Sequence, residues 1–422
     1  MVLTDRQQAI LDGKEGDVKA KVMKTLVMYG EAFGAEKMVD ITGKHGHLVT
    51  SFGLSVMKPV YDLMDTLIQS GALSSQSFSV DPRPLEKCVP KNPIQELFFR
   101  VMYSKQDDYD KQLRKLGIMS DDAYTCTCYM KEVGNTPEKG EILSWAESSA
   151  VVYANSVLGA RCNRNSGILD LFGSIVGCVP YFGLLTDEGR KADFLIEVRT
   201  KSKPEAQLLG SAIGMKVQEK VPFVAGMDRF FSTLDDDASS YFKDFGAATA
   251  SNGAVGLYHI ENLTPEAVES GRSLLKPGYE TYVIDDAELE RVQKSYPLIW
   301  KDPDAKPKLA FIGCPHLSSR QLESWADRIE KALAENGRSK LGIKTVFTAA
   351  PAVMDAFRKT EKARQMEKRG AILSHICPLM YMNNPMCGKM PVITCSNKLR
   401  TYTSARYYRE EELLEIITGG RA

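Results

Sequence analysis

The chain of 422 residues carries 54 Lys and Arg against 54 Asp and Glu, so its formal net charge is zero. This balance gives no electrostatic attraction for nucleic acid or an anionic membrane, and we expect neither as a partner. No apolar run reaches the roughly 20 residues that span a bilayer, and MVLTDRQQAILDGKEGD lacks the segments of a signal peptide. We therefore expect a cytosolic protein of two or three subdomains, with its nine cysteines reduced.

Helical patterns dominate the first part of the chain. LTDRQQAILDG predicts a helix capped by Thr4 and ended at Gly13, and apolar spacing in EGDVKAKVMKTLVMYGEAFG predicts a second helix. Residues 52–72 indicate another helix, and the proline-rich residues 77–93 indicate a loop. A proline near the start and a glycine near the end of TPEKGEILSWAESSAVVYANSVLG predict a pocket helix within residues 137–165.

The second part of the chain predicts an α/β fold. Residues 205–300 mix helices with short strands such as AVGLYHI and TYVIDD, and the charged segment KDPDAKPK then marks a boundary between regions 1–300 and 301–422. Beyond it, KLAFIGC, IKTVFTAAP and AILSHIC read as strands separated by amphipathic helices. This βαβαβ order predicts parallel strands with right-handed crossovers.

Cysteines at strand ends suggest the chemistry. Cys314 and Cys377 end two of these strands, and ligands bind outside the carboxyl ends of parallel strands. A third thiol, Cys126 or Cys128, lies upstream in YTCTCYM. Three thiolates suit an iron–sulfur cluster, and three rather than four leave one iron open as a Lewis acid for a substrate hydroxyl. Taken singly, each cysteine is equally well explained as a buried hydrophobic residue.

Polar groups crowd the stretch ESSAVVYANSVLGARCNRNSG, residues 147–167. Arginine binds carboxylate or phosphate through two parallel hydrogen bonds, so this stretch could line a pocket for an anion. The alternative is that its arginines are solvated charges at a helix end. The residues that could line such a pocket are Asn155, Ser156, Arg161, Asn163 and Arg164.

Longer segments carry a family resemblance. GNTPEKGEILSWAESSAVVYANSVLGARCNRNSG, then GCVPYFGLLTDEGR, IGCPHLSS and the C-terminal SNK, are similar to large subunits of the aconitase X family, hydro-lyases of the aconitase superfamily. The resemblance implies an aconitase-like α/β fold of several subdomains, with an iron–sulfur site at the carboxyl ends of parallel strands.

The same resemblance implies the site residues. The cluster, [4Fe-4S] or [2Fe-2S], would be held by Cys126, Cys314 and Cys377, since the family usually has proline where this chain has Cys128. Arg161 and Lys398 are the implied catalytic residues, and Arg161 is expected to hold a substrate anion. The implied substrate-binding residues are Ser148, Ser149, Asn155, Ser156, Arg161, Asn163 and Lys398.

The implied reaction removes water from a small hydroxy acid. The family's base is a serine on a small swivelling domain, and because SARYYREEELLEIITGGRA could not supply it, we expect a small partner subunit. Of two family substrates, the absence of an added basic cluster or phosphate loop favours cis-3-hydroxy-L-proline. A separate large subunit favours mevalonate 5-phosphate instead. The alternative of another class is a non-catalytic iron–sulfur or zinc-binding structural or regulatory protein; a structural zinc site would need four closed ligands.

Overall fold

The computed structural model describes residues 1–419. Its first part packs helices around two small pairs of strands. Strand β1 pairs antiparallel with β4, and β2 pairs parallel with β3. The elements are α1 (Asp5–Leu11), α2 (Asp17–Ala32), β1 (Met38–Asp40), β2 (Gly46–Leu48), α3 (Lys58–Gln69), β3 (Phe78–Val80), α4 (Pro93–Met102), α5 (Gln106–Leu116), α6 (Ser148–Tyr153), α7 (Gly167–Val176) and β4 (Cys178–Pro180).

The predicted helices of this part are present with altered ends. Thr4 caps α1 by accepting a hydrogen bond from the Gln7 N–H at 3.3 Å, and α2 covers the second predicted helix. The third helix begins only at Lys58, since the chain before it turns through Phe52 at φ 52°. The loop predicted for 77–93 is wrong at its start, because Phe78–Val80 forms the buried strand β3.

The pocket helix is also shorter than predicted. The carboxylate of Glu147 accepts a hydrogen bond from the Ala150 N–H at 2.6 Å, so α6 begins at Ser148 rather than near residue 137. A π-helical turn, Ala154–Leu158, follows it and ends at Gly159, whose φ of 72° is left-handed. Residues 142–145 are not helical; Ile142 forms a β-bridge with Arg161.

The second part is a parallel sheet of four strands in the order β7-β6-β5-β8. The AVGLYHI segment contributes only the two residues of β7, whereas TYVIDD lies at the end of the long strand β8. The elements are β5 (Ala192–Val198), α8 (Ala206–Val217), β6 (Pro222–Ala225), α9 (Asp236–Gly253), β7 (His259–Ile260), α10 (Pro265–Ser270), β8 (Leu275–Ile284) and α11 (Asp286–Lys294).

The third part is a parallel sheet of five strands, which confirms the predicted βαβαβ order. The third predicted strand is shorter than expected, because Cys377 lies beyond it and precedes a short helix. The elements are β9 (Leu309–Leu317), α12 (Ser319–Glu335), β10 (Lys344–Ala349), α13 (Pro351–Arg358), α14 (Glu361–Lys368), β11 (Ala371–Ser374), α15 (Pro378–Met382), β12 (Val392–Thr394), α16 (Asn397–Tyr402), β13 (Arg406–Tyr407) and α17 (Glu410–Thr418).

The order of this sheet creates a crevice. Strands run β11-β10-β9-β12-β13, so the chain moves from β9 to one side and later returns to pair β12 on the other side. Such a reversal opens a crevice at the carboxyl ends of the two strands, where ligands of open α/β sheets bind. Cys314 lies in β9 and Lys398 follows β12, so both face this reversal point.

Apolar burial joins the first part to the second. Residues of α6, α8 and α9 form one buried core together with Trp145 and Cys128. A second core fills the space between α12, α13 and the sheet of the third part. Within residues 1–419, no helix is long and apolar enough to cross a membrane.

Candidate active site

A cavity of about 380 Å³ lies at the reversal point of the third sheet. The first part of the chain supplies one wall, through residues after β3 and at the start of α6. The third part supplies the other wall, through β9, α15 and α16. A cavity of this size, enclosed between separate parts of the chain, is typical of a small-molecule site.

Three cysteines line this cavity. Cys126, Cys314 and Cys377 come from a loop, a strand and the residue before α15. Burial raises the pKa of each thiol, and the Lys398 ammonium opposes that rise. The backbone N–H of His316 donates to Cys126 Sγ at 3.4 Å. The N–H hydrogen bond and the Lys398 charge both favour the thiolate of Cys126, and they offset part of the effect of burial.

Cysteine sulfur is the donor that holds an iron–sulfur cluster, and three such donors line the cavity. Within residues 1–419, no three His, Cys, Asp or Glu side chains are close enough together to hold one metal ion. In a cluster each cysteine binds a different iron, so its sulfurs stand farther apart than the ligands of one ion. The set of three cavity thiols therefore matches the donor set that a cluster requires.

Cys128 has a different environment from Cys126. Its side chain is fully buried in the apolar core beside Trp145, and it does not line the cavity. The two neighbours in TCTC thus have separate surroundings, one facing the cavity and the other the core.

A buried ion pair forms the floor of the cavity. The Lys398 ammonium contacts a carboxylate oxygen of Glu147 and donates to the Ser149 hydroxyl at 3.1 Å. Burial alone would raise the pKa of Glu147, but Lys398 outweighs it and the pKa is lowered. Burial would lower the pKa of Lys398, yet Glu147 and the thiols of Cys314 and Cys126 raise it. Both groups are therefore charged, and Ser148 beside them lines the cavity.

Two buried polar groups next to the cavity lack hydrogen-bond partners. Asp81 Oδ1 and His47 Nε2 lie 3.8 Å apart, and neither has a partner among residues 1–419. Burial and the charge of Glu147 raise the pKa of Asp81, whereas burial lowers the pKa of His47 to about 4. His47 is therefore neutral, and its Nδ1 lies 2.9 Å from the Ser79 hydroxyl.

Sequence reasoning missed this pair. His47 stands in a glycine-rich segment, GKHGHL, and Asp81 in the proline-rich segment SVDPRPL, and neither spacing indicates a site. The signal is tertiary, since parallel pairing of β2 with β3 brings the ends of these segments together.

Several predicted pocket residues lie outside the cavity. Arg161 donates to the Leu185 carbonyl at 2.8 Å and to Asp187 at 2.5 Å, so it anchors the 183–190 turn. The Ser156 hydroxyl accepts from the Tyr258 N–H at 2.9 Å. Asn155 and Asn163 likewise bind backbone groups at 2.7–2.9 Å. None of these four residues lines the cavity: Asn155 and Ser156 belong to the π-helical turn, and Arg161 and Asn163 follow it.

Arg164 does line the cavity. Its backbone has a φ of 55°, and its guanidinium forms no hydrogen bond or salt bridge within residues 1–419. It is therefore the cation of the cavity whose charge is available to a ligand, whereas the charge of Lys398 is already paired.

Comparison with known proteins gives consistent matches along the chain. Residues 1–188 match the family model described as Aconitase X first domain, and residues 192–294 match Aconitase X second domain. The phosphomevalonate dehydratase large subunit of Thermococcus kodakarensis is 31% identical over 78% of this chain and 77% of that protein. Cis-3-hydroxy-L-proline dehydratase of Hypocrea jecorina is 28% identical over 77% of this chain and 52% of that protein. The crystal structure of Thermococcus kodakaraensis aconitase X (holo-form) has a TM-score of 0.80 at 28% identity, covering 98% of this chain and 99% of that one.

Proposed function

Because the chain belongs to the aconitase X family, it is an enzyme of the hydro-lyase class, and we propose that its cavity removes water from a small hydroxy acid. One observation carries the proposal: three thiols, a buried ion pair and an unpaired arginine line the same cavity. Loss of these groups would have favoured a non-catalytic protein that keeps only the fold.

Cys126, Cys314 and Cys377 would hold an iron–sulfur cluster in this cavity. Such a cluster, with one iron left open by the protein, supplies a Lewis acid for the leaving hydroxyl. The hydrogen bond from the His316 N–H to Cys126 Sγ supports this assignment, because hydrogen bonds to sulfur stabilise its negative charge.

The other residues bind and orient the substrate. Arg164 would grip a substrate carboxylate through two parallel hydrogen bonds, since no protein group occupies its guanidinium. Lys398 and Glu147 hold each other in place and keep a charged, rigid floor beside the thiols. In the elimination, a base takes the proton from the carbon next to the carboxylate while the carbon–oxygen bond breaks and hydroxide leaves.

We favour cis-3-hydroxy-L-proline as the substrate. The cavity offers one unpaired cation, Arg164, and one acidic side chain without a cationic partner, Asp81, because Glu147 is paired with Lys398. This pattern suits a ligand that carries both a carboxylate and a protonated nitrogen, because the nitrogen would favour the ionised form of Asp81. Mevalonate 5-phosphate is the second candidate, since the relative from Thermococcus kodakarensis is named for that substrate.

The discriminating experiment assays both substrates under anaerobic conditions with the cluster rebuilt. Formation of the cyclic imine from cis-3-hydroxy-L-proline, without dehydration of mevalonate 5-phosphate, is the expected result. The reverse preference would assign the chain to the second candidate. If neither substrate is consumed, although the iron content is full and a partner is added, the dehydratase proposal is contradicted for both compounds.

A small swivelling-domain subunit with a catalytic serine is the proposed partner. The name large subunit of the relative from Thermococcus kodakarensis supports a two-subunit enzyme. Helix α4 provides a suitable surface, because Ile94, Leu97 and Val101 share one face and are 67%, 65% and 64% exposed. The helix borders the cavity, since the Tyr103 hydroxyl that follows it donates to the carbonyl of Met380, a cavity residue, at 2.8 Å.

Co-expression with a candidate small subunit tests this surface. Leu97→Glu should abolish co-purification while the chain stays folded, because a charge replaces the centre of the apolar face. Leu73→Glu, at another exposed leucine, is the matched control and should leave the complex intact. A complex that survives Leu97→Glu would place the partner elsewhere.

A further inference from the structure

A second cavity, of about 330 Å³, lies at the junction between the second and third parts of the chain. One wall is the segment after α11, and the other is formed by α16, β13 and the start of α17. None of its residues lines the cavity that holds the thiols, so the two cavities are separate.

Two guanidinium groups in this cavity have no acidic partner. The Arg406 guanidinium forms no hydrogen bond or salt bridge within residues 1–419, and it lies over Tyr408 at 5.2 Å and Trp300 at 5.7 Å. Arg400 lies 4.0 Å from the Tyr296 ring centre and donates only to the neutral side chains of Asn397 and Asn252.

One carboxylate, Glu412, and one further cation, Lys294, also line the cavity. The Glu412 carboxylate accepts from the Arg409 N–H at 2.9 Å and from the Gln293 amide at 3.5 Å. Lys294 is mostly exposed and pairs with Glu290 at 2.6 Å. The side chains that line the cavity therefore carry a net positive charge. Each of the two arginines lies over an aromatic ring.

Burying an unpaired cation is costly, and a bound anion would offset that cost. Burial lowers the pKa of Arg400, as expected for a guanidinium enclosed without a carboxylate. The Arg406 guanidinium has all its N–H groups free, whereas Arg400 has those of Nη1, because its Nε and Nη2 donate to Asn397 and Asn252. Free guanidinium N–H groups match the oxygens of carboxylate or phosphate. Tyr296, Tyr407 and Tyr408 line the same cavity and give it apolar surface beside these groups.

We propose that this cavity binds a small organic anion, with a carboxylate or phosphate held by Arg400 and Arg406 and its body against the tyrosines. The site does not depend on the dehydratase proposal. Its ligand would also contact the helix of the first cavity, because Arg400 lies two residues after Lys398 on α16 and holds Asn397 at 3.0 Å.

Calorimetric titration of the full chain tests the proposal with phenyl phosphate, benzoate and inorganic phosphate as probes. The wild type should bind at least one organic probe, and Arg406→Ala should weaken that binding at least about tenfold. Tighter binding of phenyl phosphate than of inorganic phosphate indicates that the body of the ligand contacts the tyrosines. Equal binding indicates a site for the anionic group alone and contradicts this part of the proposal.

Two matched variants keep the result interpretable. Arg364→Ala removes an exposed arginine on α14 and should not alter binding. Arg164→Ala removes the unpaired arginine of the first cavity, so it should remove any probe binding there and leave intact the binding that Arg406→Ala weakens. Binding lost in Arg164→Ala but retained in Arg406→Ala would assign the anion to the first cavity. Absence of binding by the wild type at millimolar probe would overturn the proposal outright.

Discussion

Arg161 and Arg164 are the same residue type three positions apart, yet their surroundings differ. Arg161 is tied to the 183–190 turn, whereas Arg164 faces the cavity without a protein partner. Arg164→Ala should raise KM for the hydroxy acid at least about tenfold, because a charged hydrogen bond to substrate is lost. Arg161→Ala should leave KM unchanged and cost about 0–1 kcal/mol in stability, as expected for an exposed pair. Steady-state kinetics of both variants provide the check, and an equal rise in KM would contradict the assignment.

The neighbouring thiols of the TCTC segment allow a second paired test. Cys126→Ser should lose iron after anaerobic reconstitution, as should Cys314→Ser and Cys377→Ser, because each removes one cavity sulfur. Cys128→Ser should keep its iron and lose only stability, since its thiol is packed in the apolar core. Iron and sulfide content are the measurements. Loss of iron from Cys128→Ser alone would show that the wrong thiol of the segment was assigned.

Removing one partner of the ion pair between Glu147 and Lys398 should strongly lower the free energy of unfolding. Lys398→Met leaves a buried carboxylate uncompensated, so we expect a loss of about 3–5 kcal/mol in the free energy of unfolding. The double variant Lys398→Met with Glu147→Gln should recover part of that loss but not the activity. Urea unfolding of the two variants tests this, and an additive loss in the double variant would contradict coupling between the groups.

At the scale of elements, the helices and strands predicted correctly are those with a clear apolar pattern or a clear cap in the sequence. The strands β9, β10 and β11 and the helices between them follow from long alternating patterns, and α1 follows from its cap at Thr4. The extended run before α6 was not predicted, because its small and apolar residues fit a helix equally well. The Glu147 carboxylate determines where α6 begins, because it caps the helix so that the first helical residue is Ser148.

The cavity residues predicted from the sequence were the three cysteines and, through the family resemblance, Ser148 and Lys398. Cys314 and Cys377 were predicted as strand-end residues, but β9 continues to Leu317 and Cys377 lies three residues beyond β11. Family resemblance chose Cys126 over Cys128. Arg164 was one of several polar candidates in its stretch, and the backbone φ of 55° that turns it towards the cavity is not visible in sequence. Asp81 and His47 were missed because strand pairing between distant segments brings them together.

At the start of α7 there is no space for a side chain larger than that of glycine. A Cβ at Gly167 would lie 1.5 Å from the Val49 carbonyl oxygen, and Val49 lines the cavity. Gly167→Ala should therefore cost about 1–3 kcal/mol or more and displace the cavity wall. Gly342→Ala is the matched control, because its Cβ position lies 3.3 Å from the flexible end of Arg338 and 3.7 Å from the Ile417 carbonyl oxygen, which is an ordinary contact. Thermal unfolding of both variants gives the comparison, and equal melting temperatures would contradict the steric argument.

At the scale of the whole molecule, Glu205 joins two parts of the chain. It precedes α8 of the second part, and its carboxylate accepts from the Tyr407 hydroxyl at 2.6 Å and from the Glu410 N–H at 3.1 Å in the third part. Burial, with a contribution from the Glu410 charge, raises the pKa of Glu205 to about 8. The junction is thus held by a carboxyl group that keeps its proton at neutral pH.

This raised pKa predicts how stability depends on pH. In the unfolded chain Glu205 loses its proton near 4.5, whereas in the folded chain it keeps the proton until about pH 8. Folding therefore takes up a proton between these values, and stability falls as pH rises through this window. Glu205→Gln should remove roughly 1–3 kcal/mol of that fall, since partial exposure weakens the full linkage. Asp170, whose pKa burial raises to about 7, contributes a similar slope that Glu205→Gln leaves in place. Urea unfolding at pH 5 and pH 8 measures both slopes, and an unchanged pH dependence in Glu205→Gln would show that Glu205 is ionised at the junction.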